Sequence, residues 1–209
     1  MVILKEREEQ AKRILQGLPY KYAYVTGSFL NSEHYNDIDV FVISRTKKRI
    51  EFFDSKVKIT YLDFNKCYNL FYHSTIQQCV SKGPLPTRPL KVTLSEYWRV
   101  INSAVPAIFN HRNFQKEIRS LILFTEYFKN NKILNTFELQ KLSASFKTRR
   151  QAIEYIQKNV PRIFTKKLDL SYIKKFFYTE AGAYKGINYD SFNLLYELCH
   201  TIIKVKAYG

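Results

Sequence analysis

Cysteine is scarce in this chain: Cys67, Cys79 and Cys199 are the only three in 209 residues, with no C-x-x-C pair. An odd number so spaced indicates neither a disulfide framework nor a zinc knuckle, and predicts reduced, mostly buried thiols. Glycine and proline number six each, too few for a fibrous or low-complexity chain. No apolar run approaches the roughly 20 residues of a membrane span. The opening Met1-Val-Ile-Leu-Lys-Glu-Arg7 turns charged too early for a secretory signal. A soluble cytoplasmic protein without a membrane partner is therefore expected. Acid is short too, with 18 Asp+Glu against 34 Lys+Arg and a formal charge of +16.

What is present is an ordinary globular balance of 45% hydrophobic and 25% charged residues, which excludes disorder and is long enough to bury a core. Aromatics reach 16%, with 16 Tyr and 16 Phe, a supply that suits either core packing or stacking on bases. The charge is unevenly placed. Residues 1–64 hold 11 Lys/Arg and 9 Asp/Glu, whereas residues 65–209 hold 23 and 9. A basic excess of that size favours phosphate-rich partners such as RNA, DNA or nucleoside triphosphates; a merely solvated lysine-rich surface is the plain alternative.

Periodicity divides the chain. Leu4, Ala11, Ile14, Leu15 and Leu18 recur at helical spacing and stop at Gly17 and Pro19. Short strands follow at 22–26, 37–44 and 57–62, the second turning continuously apolar as a central strand does. Asp63 is placed to cap a helix over roughly 64–80. Residues 81–91, with three of the six prolines, read as a linker. Beyond it lie helical patterns at about 94–110, 112–130, 136–145, 148–159, 170–178 and 189–206. The expected fold class is α+β, with a mixed α/β domain at 1–80 and a basic helical domain at 92–209.

The chemistry is concentrated between Val25 and Ile43. Asp37 and Asp39 stand two apart on a strand, so their carboxylates share a face with Cα atoms about 7 Å apart. Such a pair can bridge two Mg²⁺ ions about 4 Å apart, aligning an attacking oxygen with a leaving phosphate. Gly27 at a strand end lets backbone approach a phosphate closely, and Ser28 offers a hydroxyl and an N–H. A lone D-x-D often only solubilises a strand edge. Strand, Gly-Ser, a short segment and D-x-D opening an apolar strand together form a more demanding pattern.

That pattern, over residues 20–65, resembles the DNA polymerase beta superfamily of nucleotidyltransferases, specifically its minimal, MNT-like members. The resemblance implies a nucleotidyltransferase-type sheet, with Gly27 and Ser28 as the ledge for a triphosphate and Asp37 and Asp39 as catalytic Mg²⁺ ligands. It implies attack of a hydroxyl on the α-phosphorus of ATP or another nucleoside triphosphate, with RNA, tRNA or a protein as acceptor. Toxin-type relatives add an antitoxin-like partner to that expectation.

The sequence departs from the family in two ways. Leu30-Asn-Ser32 stands where many relatives carry Arg-Gly. The family's third acid, on the following strand, falls on Lys58, whose ammonium can hold a phosphate or pair with Asp37 or Asp39. The alternatives are that Asp54 or Asp63 reaches the site, or that the fold persists as a binding module without catalysis. Strand parity sets Asp63 on the face opposite Lys58.

Weaker signals read as solvated or structural. Arg45, Lys47, Lys48 and Arg49 form a basic turn after the D-x-D strand, and His34 lies in the loop before it. His73, His111 and His200 have no metal-ligand spacing. Lys147, Arg149, Arg150, Lys158, Arg162, Lys166, Lys167, Lys174 and Lys175 alternate with Phe146, Tyr155, Phe164, Tyr172, Phe176, Phe177 and Tyr178. This mixture suits RNA, although helical periodicity turns most of the aromatics inward.

Overall fold

The computed structural model describes residues 3–47, 55–167 and 189–208. It is an α+β protein: among the described residues one four-stranded mixed sheet accompanies seven α-helices. The chain divides into two compact units, residues 1–92 with 133–139, and residues 93–132 with 140–209.

In the first unit α1 (Lys5–Gln16) carries Glu6 and Glu8 in its first turn and Arg13 in its last, charges that complement the helix dipole. The strands are β1 (Ala23–Thr26), β2 (Ile38–Ile43), β3 (Val57–Leu62) and β4 (Cys79–Ser81), in the spatial order β3-β2-β1-β4. β1 runs antiparallel to both β2 and β4, while β2 and β3 are parallel.

Alternation gives each strand two jobs. Ala23, Val25, Ile38, Val40, Val42 and Val80 pack with Ala11 and Leu15 of α1 on one face, joined by Val57, Ile59 and Tyr61. Tyr24, Phe41, Ile43 and Leu62 face the other way and cluster with Cys67 and with Tyr72 of α2 (Leu70–Ile76). By the same alternation Thr26, Asp37, Asp39 and Lys58 belong to this second face.

The helix expected over 64–80 is broken up. Asp63 caps only a 3-10 turn at Phe64–Lys66, its Oδ1 accepting from the Asn65 N–H at 2.9 Å. Asn69 then caps α2 by accepting from the Tyr72 N–H at 2.8 Å, and β4 follows. Two short-range caps each fix a new chain direction, which a continuous helix cannot accommodate. The proline-rich 81–91 stretch is not separate from the first unit: the Tyr72 hydroxyl donates to Pro86 O at 2.8 Å and the Lys91 N–H to Tyr68 O at 2.9 Å.

The second unit is helical. α3 (Leu94–Asn110) opens with a capping box of Thr93 and Glu96, and α4 (Phe114–Asn130) ends on Asn131 in the left-handed region at φ 52°. α5 (Thr136–Ser145) begins in the residues counted with the first unit and ends in the second, and α6 (Arg149–Lys167) and α7 (Tyr189–Tyr208) belong to the second. Tyr97 is fully buried and stacks on Phe124, Phe128 and Phe164 at 5.5 to 5.7 Å, and Trp98 meets Phe164 edge-on. These aromatics build core, each such pair adding about 1 kcal/mol beyond its buried area. α6 runs well past the expected end at 159, through Pro161. The helix expected over 170–178, with Lys174, Lys175, Tyr172, Phe176, Phe177 and Tyr178, lies outside the described residues. No helix among the described residues is long and apolar enough to cross a membrane.

Candidate functional site

The site grows from how β1 ends. Thr26 is buried, its Oγ1 positioned 2.8 Å from Gln78 O and 3.1 Å from Thr75 O. These contacts tie the strand end to the α2–β4 connection. Gly27 then takes φ 92° and ψ −166°, a conformation open essentially to glycine. Its special backbone swings the chain into a single 3-10 turn, Ser28–Leu30, whose Phe29 and Leu30 are fully buried. Ser28 therefore does not start a true helix, and any phosphate ledge here rests on local N–H groups and the hydroxyl rather than on a macrodipole.

β2 brings the acids alongside. Thr26 pairs with Asp39 across the antiparallel ladder, and a Cβ placed on Gly27 would lie 3.2 Å from Asp39 Oδ2. The missing side chain is thus what makes room for that carboxylate. Asp37 precedes β2 by one residue, and the Ile38 N–H donates to Lys56 O at 2.9 Å, fixing the strand's entry. Ser28, Gly27, Asp37 and Asp39 are all half-buried, neither sealed nor fully in solvent.

β3 supplies a cation. In the parallel register Asp39 stands opposite Lys58, and Lys58 Nζ lies 2.6 Å from Asp37 Oδ2. Lys58 donates to Asp37, and this hydrogen bond raises the lysine's pKa most, reinforced by the Asp37 charge, opposed by desolvation and aided least by the charge of Asp39. The ammonium feels both carboxylates. Its side chain nonetheless remains 64% exposed, so the ion pair is a surface contact that solvent screens.

Asp63 is remote from this group. It sits past the other end of β3, five residues beyond Lys58, and is engaged as a cap. Asp54, Lys48 and Arg49 lie outside the described residues. Arg45 is exposed, Lys47 Nζ lies 5.8 Å from the Tyr61 ring centroid, and His34 is exposed in its loop with its N–H on Ser32 Oγ. Two of the remaining histidines have structural partners: His73 Nε2 pairs with Arg88 O and His111 Nδ1 with Glu117 Oε1, each at 3.0 Å. The cysteines are free thiols.

Three contributors have no sequence signature: Asn31, Gln78 and Thr26. Asn31 Nδ2 lies 3.5 Å from Gly27 O, and Gln78 Nε2 donates to Asn31 Oδ1 at 3.2 Å. Together they brace the Gly-Ser bend from behind.

The donor set defines what this place can hold. Two carboxylates and a small cradle at Gly27 fit one divalent cation whose other ligands come from phosphate and water. Among the described residues no group of three or more His, Cys, Asp or Glu is placed to hold a metal ion. No protein-family model, curated protein or solved structure matches the chain.

Proposed function

We propose that the first unit is a nucleotidyltransferase-type domain that binds a Mg²⁺–nucleoside triphosphate and passes the nucleotidyl group to a hydroxyl acceptor. The supporting observation is the pairing of two strand ends: Gly27, just past β1, lies against the carboxylate of Asp39 on β2, with Ser28 and Asp37 beside them in the chain and all four half-buried. Asp37 and Asp39 would hold the ion. Bound Mg²⁺ supplies charge neutralisation for the triphosphate and polarises its α-phosphate. Ser28 and the backbone at Gly27, beside Asp39, would orient the triphosphate, and Lys58 would offer it a positive charge. The acceptor's hydroxyl oxygen bonds to the α-phosphorus, the α–β bridging bond breaks, and pyrophosphate leaves with the bonding electrons. The hydroxyl proton goes to one of the two aspartates or to water.

A second reading rests on Lys58, which stands opposite Asp39 where the family places an acid. In that reading the fold binds nucleotide or nucleic acid without catalysis. Both are tested by incubating the protein with Mg²⁺, each labelled nucleoside triphosphate and total RNA or protein. A labelled acceptor that disappears in Asp37→Ala and Asp39→Ala supports transfer. Labelling that survives both substitutions removes the site, and nucleotide binding without labelling selects the module.

A further inference from the structure

We infer that Lys58 is a built-in cation of this site: its ammonium occupies one of two cation positions at the Asp37–Asp39 pair, so the pair admits a single divalent ion and Lys58 competes with it. This rests on the reading of the corner as a metal–triphosphate site.

The geometry carries it. β2 and β3 are parallel and adjacent, so the residue opposite Asp39 points from the same sheet face. The side chain there is lysine, and its Nζ donates to Asp37 Oδ2 at 2.6 Å while its side chain stays largely in solvent. The ammonium is thus hydrogen-bonded to Asp37 and belongs to the residue in register with Asp39. Charge counting follows: two carboxylates and one ammonium leave a single negative charge, enough to attract one divalent ion but a poor host for two. Lys58 also has somewhere to go. Its side chain is largely exposed, and its long stem lets the ammonium swing from Asp37 onto an arriving phosphate while the metal takes the carboxylates. An acid at position 58 would have to add a ligand. The lysine instead exchanges places with the ion, which couples metal entry to phosphate entry.

The test is direct Mn²⁺ binding to the full chain, read by electron paramagnetic resonance of the free ion, without nucleotide and with a non-hydrolysable triphosphate. Without nucleotide the wild-type chain is expected to bind one Mn²⁺ or fewer. Lys58→Gln should tighten that site by about tenfold, as expected on removing one adjacent like charge. Lys58→Asp should create a second Mn²⁺ position, and Asp39→Asn should abolish binding in every background. With the triphosphate analogue the wild-type gain in Mn²⁺ affinity should shrink in Lys58→Gln, because the phosphate partner is gone. Two Mn²⁺ ions on the wild-type chain without nucleotide, or unchanged affinity in Lys58→Gln, would overturn the inference while Asp39-dependent binding leaves the metal reading standing. Binding indifferent to Asp39→Asn would overturn both. Lys58 is exposed, so the unfolding midpoints of its variants should match wild type, and they serve as the control for folding.

Discussion

Gly27 is the residue on which the corner turns. A side chain at this position meets two penalties at once: φ 92° is unfavourable for any L-residue, and its Cβ would crowd Asp39 Oδ2 at 3.2 Å. Gly27→Ala should therefore destabilise the chain by about 1–3 kcal/mol, visible as a lower urea midpoint. It should also weaken nucleotide binding more than Ser28→Ala does. An unchanged midpoint would mean that the bend relaxes without cost. Ser28→Ala should leave the fold intact, since the hydroxyl is not part of the core, and shrink the nucleotide-induced shift in melting temperature.

Among elements, β4 couples the site to alkaline stability. Cys79 pairs with Thr26 in the ladder, and burial pushes its thiol up to about 11 from an ordinary value of 9.0. A folded-state pKa above the unfolded one means that stability is fully present below about pH 9 and falls as the pH rises toward 11. Urea unfolding across pH 8 to 11 should show that decline, and Cys79→Ala should flatten part of it. A decline equally steep in the variant would assign it to tyrosines such as Tyr61, whose hydroxyl contact with Tyr20 raises its pKa to about 12. In the helical unit, Thr93→Ala removes the capping box of α3 and should cost about 1 kcal/mol.

These elements also mark what periodicity reveals. The apolar run that ends 37–44, the alternation in 57–62 and the 3.6-residue recurrence in 94–110, 136–145 and 189–206 are long enough to be read from local pattern. β4 has three residues and one buried side chain, Val80, too short for a pattern, and it emerges only because β1 offers it an edge. The site divides in the same way. Gly27, Ser28, Asp37 and Asp39 are legible because they form one local motif, and strand parity alone puts Lys58 on their face. Asn31, Gln78 and Thr26 depend on the β1–β4 pairing, a long-range event with no local signal.

At the scale of the whole molecule the formal charge is +16. The excess of Lys/Arg over Asp/Glu falls mainly after residue 64. On α6 the exposed residues Arg150, Lys158, Arg162 and Lys166 follow an i, i+4 row that drifts about 40° per step around the helix, with Glu154 between the first two and paired to Arg150 at 2.9 Å. Residues four apart rise about 6 Å along the axis, close to the separation of successive phosphates on a nucleic-acid strand. Tyr97, Trp98 and Phe164 are buried, whereas Tyr189, Phe192 and Tyr196 of α7 are exposed, so the α6 row is the part of this unit that offers phosphate contact alone. If the acceptor is RNA, its affinity should fall steeply with salt, and each lost phosphate contact should reduce the log–log slope by about 0.7 for a single strand. The triple variant Lys158→Glu, Arg162→Glu, Lys166→Glu should then lower the slope by about 2. It should weaken RNA binding at every salt concentration while leaving nucleotide binding at Gly27 and Ser28 unchanged. A slope identical to wild type would show that this row is only solvated and that the acceptor is held elsewhere.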